Sequence, residues 1–128
     1  MAKTDYFAGP QPRIFAHRGL HSHRAGIDEN SLEAFAAAIE FGATHIESDV
    51  HATRDGVAVL FHDETLERVS NTASPIADLT LSQLKEIRLT NGSLVPTLEE
   101  ALIQFPEIKL NLDIKSEGAI SPTASAIL

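Results

Sequence analysis

The sequence predicts an α/β domain on a parallel sheet. Two observations carry this expectation. Apolar runs suited to strands alternate with stretches of helical spacing, in the order strand, helix, strand, helix, strand. The 128 residues, 43% of them hydrophobic, suffice for one core but not for two.

Each element has a local cause. Residues 1–12 lack the apolar stretch of a secretory signal and read as a flexible lead-in to a domain over 13–128. RIFAH, residues 13–17, is a short apolar run after Pro12, suited to a buried strand. Asn30-Ser31-Leu32-Glu33 resembles a capping box with Asn30 as the cap. Leu32, Phe35, Ala36 and Ile39 then make an apolar stripe, and Gly42 ends the helix. In residues 44–64, Ile46, Ser48 and Val50 alternate with Glu47, Asp49 and His51, a strand with two unlike faces.

Asp55-Gly56 marks a hairpin turn. A two-residue loop there sets Asp49 opposite His62, so that Glu47, Asp49 and His62 converge. A three-residue loop shifts the register by one and sends His62 to the other face. Cap signals around Asp78 precede a short helix with Leu81, Leu84 and Ile87, and Pro96-Thr97-Leu98-Glu99-Glu100 opens another to about Gln104. In residues 108–115, Leu110, Leu112 and Ile114 alternate with Asn111, Asp113 and Lys115, so an acid and a base share one strand face. The final SPTASAIL starts a further helix.

Composition narrows the function. A net charge of −8 argues against a nucleic-acid or anionic-membrane surface, because affinity for either depends on Lys and Arg displacing counterions. No apolar run approaches the roughly 18 residues of a membrane span, so no membrane anchor is expected. Without cysteine there is neither disulfide nor thiolate chemistry, and a cytoplasmic location is the default expectation.

Five ordered pieces carry a resemblance: HRG at 17–19, ENS at 29–31, IESDVHATRDGVAVLFHD at 46–63, VPTLEEAL at 95–102 and LNLDIK at 110–115. Together they are similar to the glycerophosphodiester phosphodiesterase family. The resemblance implies a (β/α)₈ TIM-type barrel, with the active site at the C-terminal ends of the strands, that hydrolyses glycerophosphodiesters to glycerol 3-phosphate and an alcohol. It also implies one divalent cation. Residue by residue, the family's catalytic histidines fall on His17 and His62, its metal carboxylates on Glu47, Asp49 and Asp113, and its phosphate-binding cations on Arg18 and Lys115. Asp113 departs from the usual Glu and matches related phospholipase-D-type toxins, while Asp28 and Ser31 replace a common Pro and Thr.

Elementary chemistry agrees with that transfer. Three carboxylates on one cavity repel by up to about 4 kcal/mol per pair at roughly 4 Å, and a cation resolves this most simply. All-oxygen ligation suits Mg²⁺ or Ca²⁺. Arg18 can grip two phosphate oxygens and Lys115 can act as a point charge. Two histidines titrating near neutrality can divide the proton traffic between attacking and leaving oxygens. Among their neighbours, His51 is read as lining the pocket, Glu29 as supporting a helix start, and Asp63 as hydrogen-bonding a neighbour or steadying its loop. Glu117 is a reserve ligand, and His21, His23 and Arg24 form a solvated loop over the site.

A complete barrel takes about 250 residues, so 128 correspond to its N-terminal half, and self-association through exposed half-barrel edges is an expectation. Two other functions share the same residues: a non-catalytic fragment that keeps a metal or phosphate site, and a phospholipase-D-like transphosphatidylase.

Overall fold

The structure, a computed structural model, describes residues 6–9, 14–22 and 25–128. His23, Arg24 and most of the lead-in lie outside the described residues. The elements are β1 (Phe15–His17), α1 (Leu32–Phe41), β2 (His45–Ala52), β3 (Ala58–Leu60), α2 (Leu81–Leu84), α3 (Leu98–Gln104), β4 (Lys109–Ile114) and α4 (Ile120–Ile127).

Strand β2 organises the sheet. β1 runs parallel to its first half, with His17 beside Glu47, and β4 runs parallel on the other side, from Lys109 beside His45 to Ile114 beside Val50. The strand–helix–strand order therefore closes as parallel pairing, with β3 folded back antiparallel on the end of β2. Ile46 and Val50 turn to one side, where they pack with Phe35 and Ala38 of α1, Leu98 and Ala101 of α3, and Leu60, with Leu110 and Leu112 of β4 against them. Glu47, Asp49 and His51 take the opposite face by the pleat.

The hairpin register differs from the two-residue expectation. Paired residues are Val50 with Leu60 and His51 with Val59, so Asp49 faces Phe61, whose amide donates to the Asp49 carbonyl at 3.0 Å. The cause is the turn. Thr53 pairs with Val57, and its hydroxyl donates to Asp55 Oδ1 at 2.6 Å and accepts from the Val57 amide. Gly56 at φ +80° then supplies the left-handed residue that completes a three-residue loop. β3 also stops at Leu60, so His62 leaves the pleat and its place is set by side chains.

The helix caps follow short-range chemistry, with one correction. Ser31, not Asn30, caps α1: its hydroxyl accepts from the Ala34 amide, Gly42 closes the far end, and Ala36 is exposed rather than part of the stripe. Thr80 and Gln83 form a reciprocal capping box on α2, and Thr97 caps α3 by accepting from Glu100. The segment between β3 and α3 builds a second core with Val59 of β3, from Phe61, Leu66, Ile76, Leu84, Leu89 and Val95. No helix among the described residues is long and apolar enough to cross a membrane.

Candidate active site

The site forms where the parallel strands end. His17 is the last residue of β1, Glu47 and Asp49 lie on β2, and Asp113 sits beside Asp49 on β4 with Lys115 just past the strand. Parallel pairing brings Glu47, Asp49 and Asp113 to one face, as the alternation requires.

Arg18 reaches the site through an unusual backbone. Its φ of 56° is left-handed, a conformation that costs a non-glycine residue about 1–2 kcal/mol. Two hydrogen bonds hold it: the Arg18 amide donates to the Glu47 carbonyl at 2.7 Å, and the Asn30 amide donates to the Arg18 carbonyl at 2.9 Å. Gly19 follows at φ +77°, with α1 so close that a Cβ would stand 2.8 Å from the backbone carbon of Ala34. HRG is thus a tight joint that swings the Arg18 side chain over β2.

Charges surround the buried Asp49. Arg18 Nε lies 3.6 Å from Asp49 Oδ2, Lys115 Nζ lies 3.6 Å from Oδ1, and the Asn30 amide donates to Oδ2 at 3.2 Å. Ser48 in turn donates to Asn30 Oδ1 at 2.7 Å, so Asn30 serves the site instead of the helix. Lys115 also bonds Asp113 at 2.7 Å, the main cause that raises its ammonium pKa.

Glu47 is different. Its Oε2 is buried without a hydrogen-bond partner among the described residues, with His17 Nε2 at 3.5 Å. Burial, and then the charge of Asp49, push its carboxyl above the ordinary value.

His62 is held from two directions. Its Nδ1 donates to Asp63 Oδ1 at 2.6 Å, and its carbonyl accepts from His51 Nε2 at 2.9 Å, so His51 is buried support for the loop. Asp63 is gripped by Arg68, which also holds Glu29, and Glu29 Oε2 accepts from Arg18 Nη1 at 3.2 Å. An unbroken run of contacts thus joins His62 to Arg18. Glu29 answers to two arginines, not to the helix start assigned to it from sequence; the hydrogen bond and charge of Arg68, with those of Arg18, together outweigh burial and lower its pKa. Glu117 lies exposed in a turn before α4, and His21 is exposed.

The geometry has a counterpart in known proteins. Residues 17–126 match the glycerophosphoryl diester phosphodiesterase family. The chain belongs to that family. Among its relatives in the family, "Probable glycerophosphodiester phosphodiesterase 2" of Mycobacterium tuberculosis is 40% identical over 112 residues, covering 88% of this chain and 42% of the relative. A phosphodiesterase of Oleispira antarctica, solved in complex with the product sn-glycerol-3-phosphate, superposes with a TM-score of 0.80 at 28% identity, covering 91% of this chain and 51% of that one. The Thermotoga maritima glycerophosphodiester phosphodiesterase gives a TM-score of 0.73 at 37% identity, with 91% and 50% covered. These family structures are TIM barrels, and this chain spans about half of their length.

A divalent cation is what the family resemblance implies at Glu47, Asp49 and Asp113. No three such side chains among the described residues close into a ready cage, since Asp113 turns to Lys115. The donor chemistry nonetheless fits: three carboxylates share a face, and one buried Glu47 oxygen lacks a donor among the described residues.

Sequence reading missed Arg68 and misassigned Asn30. Arg68 stands five residues past Asp63 in HDETLER, outside any helical or strand period, so only its nearness to the histidine-acid pair could have drawn notice. In sequence Asp28 stands out only as a departure from the family's common Pro. Its carboxylate accepts from the Asn91 amide at 3.0 Å, the Asn91 side chain at 3.1 Å and the Ser93 amide at 3.2 Å, fastening the loop before α1 to the loop before α3.

Proposed function

We propose that the protein is a metal-dependent phosphoric diester hydrolase that cleaves glycerophosphodiesters to glycerol 3-phosphate and an alcohol. The observation that carries this reading is the gathering of Arg18 and Lys115 on Asp49, next to His17 against a Glu47 carboxylate that has one oxygen without a hydrogen-bond partner among the described residues. Family membership and the glycerol 3-phosphate complex of the Oleispira relative support the substrate class.

Each residue then has a task. Arg18 and Lys115 neutralise the non-bridging oxygens of the phosphodiester, the first as a fork and the second as a point charge. Glu47, Asp49 and Asp113 would hold a divalent cation, Mg²⁺ or Ca²⁺, which when bound supplies further neutralisation of phosphate charge. His62, with Nδ1 donating to Asp63, carries a bare Nε2 when neutral and can accept a proton there. His17, against Glu47, can exist as the imidazolium that returns one to the leaving oxygen.

The test is release of glycerol 3-phosphate from glycerophosphocholine with added Mg²⁺ or Ca²⁺, and its loss in His17→Ala. Absence of metal-stimulated turnover, here and in a longer family chain carrying these residues, would refute the reading. Asp113 favours one further possibility, the phospholipase-D-like transphosphatidylase, which a cyclic phosphate product from choline lysophospholipids would establish. β4 has β2 as its one strand partner among the described residues, and size-exclusion chromatography at rising concentration tests self-association there.

A further inference from the structure

Arg68 lies in the segment between β3 and α3, six residues past His62, and has been given no chemical task above. Its guanidinium makes four hydrogen bonds to two acids. Nε donates to Asp63 Oδ2 at 2.9 Å and Nη2 to Asp63 Oδ1 at 3.2 Å, while Nη1 donates to Glu29 Oε2 at 3.4 Å and Nη2 also donates to Glu29 Oε1. Each acid touches a functional group on its other side: Asp63 holds His62 Nδ1, and Glu29 holds Arg18 Nη1.

Stability alone does not explain this arrangement. The Arg68 side chain is 49% exposed, and ion pairs to such a group contribute little after solvent screening and side-chain entropy. Geometry does explain it. A guanidinium presents its donors in a rigid plane, so one Arg can fix the orientation of two carboxylates at once, which an ammonium cannot do. Asp63 Oδ1 is shared between Arg68 and His62, so a carboxylate locked by the arginine offers the imidazole an acceptor at a fixed place. A histidine that donates through Nδ1 has its tautomer set, with Nε2 left to accept a proton. The same plane holds Glu29, only 11% exposed, against Arg18 Nη1 at 3.2 Å.

We propose that Arg68 is a positioning residue of the active site, bridging Glu29 and Asp63 so that the His62 tautomer and the Arg18 guanidinium are set together. The inference rests on the proposed hydrolase for its purpose, but not for its measurement. Arg68 supplies the largest single contribution holding the Asp63 carboxyl at about 2, so Asp63 stays a carboxylate acceptor at neutral pH.

The experiment is a long-range ¹H–¹⁵N correlation spectrum of the ¹⁵N-histidine-labelled 128-residue chain, recorded above the histidine titration, for wild type, Arg68→Met, Arg68→Lys and Asp63→Asn. Wild type is expected to show His62 as the Nδ1–H form. Asp63→Asn defines what loss of that pattern looks like. Arg68→Met is expected to lose it toward the Nε2–H form, and Arg68→Lys, which keeps the charge without the fork, to lose it in part. In the turnover assay kcat is expected to fall roughly 10–100-fold in Arg68→Met. An unchanged Nδ1–H pattern in folded Arg68→Met overturns the proposal, and if that variant does not fold, the same result in Arg68→Lys does so.

The two readings fail separately. A chain without turnover whose His62 tautomer depends on Arg68 keeps this inference and removes the hydrolase. A chain that turns over with a tautomer indifferent to Arg68 does the reverse.

Discussion

Two carboxylates of the candidate site, one on the sheet and one on a loop, sit in opposite circumstances. Glu47 rides on β2, where burial and the charge of Asp49 hold its carboxyl above the ordinary value and one oxygen meets no donor among the described residues. Asp63 rides on the loop after β3, where hydrogen bonds from Arg68 outweigh burial and bring it to about 2. A strand can crowd like charges because the pleat dictates where side chains go, whatever their cost locally. A loop has no such template and settles where its side chains find partners. In the proposed hydrolase, the sheet group is the part a cation completes, and the loop group is already complete.

The strongest way to break the contrast is to part the joint between the two groups. Gly19→Ala would drive a Cβ to 2.8 Å from the backbone of Ala34 at a left-handed φ, so cooperative folding should be lost, or weakened by about 3 kcal/mol or more. Thermal unfolding by circular dichroism checks this, and a wild-type melt would show that α1 can retreat. Asn30→Ala comes next. It strips a fully buried amide from Ser48 and Asp49 and should cost about 2–4 kcal/mol in urea unfolding.

Asp28→Ala sharpens the contrast on the loop side. It leaves the Asn91 and Ser93 donors without their acceptor, for an expected loss of about 1–3 kcal/mol with the sheet face intact. Glu47→Gln should act the other way. Without divalent cation its stability should equal or slightly exceed that of wild type, while the thermal stabilisation produced by millimolar Mg²⁺ or Ca²⁺ disappears. Equal stabilisation of both proteins would separate Glu47 from the cation.

The smallest expected effect is in acid. Asp63 has a folded pKa of about 2 against an ordinary 3.8, so the folded state binds fewer protons than the unfolded one. Its contribution is therefore full above about pH 4 and is lost as pH falls from there through about 2. Denaturant unfolding across that window should lose stability in wild type through a limb that Asp63→Asn lacks. The limb should be shallow, because Arg68 is half exposed to solvent.

Much of this was legible before the structure. Period-two alternation put Glu47 and Asp49 on one face of β2 and Asp113 on the face of β4 opposite its leucines, because side-chain direction in a strand is a property of the residue count, and the parallel register then set Asp113 beside Asp49. Thr80 and Thr97 could be read as caps for a similar reason, since a cap bonds an amide only three residues away. The hairpin was harder. Two-residue and three-residue loops are both compatible with Asp55-Gly56, and the choice turned on the Thr53 hydroxyl, whose bonds to Asp55 and Val57 favour the longer one.

By itself the sequence determined the parallel α/β order, the acid face of the sheet and the residues that carry the family resemblance, all consequences of local spacing along the chain. Only the tertiary structure decided that Asn30 serves Asp49 while Ser31 caps the helix, that His62 is positioned through Asp63 rather than through the pleat, and that Arg68 reaches Glu29 39 residues away. Those choices depend on which donors and acceptors meet once separate segments are packed, and no periodicity records the meeting of two loops.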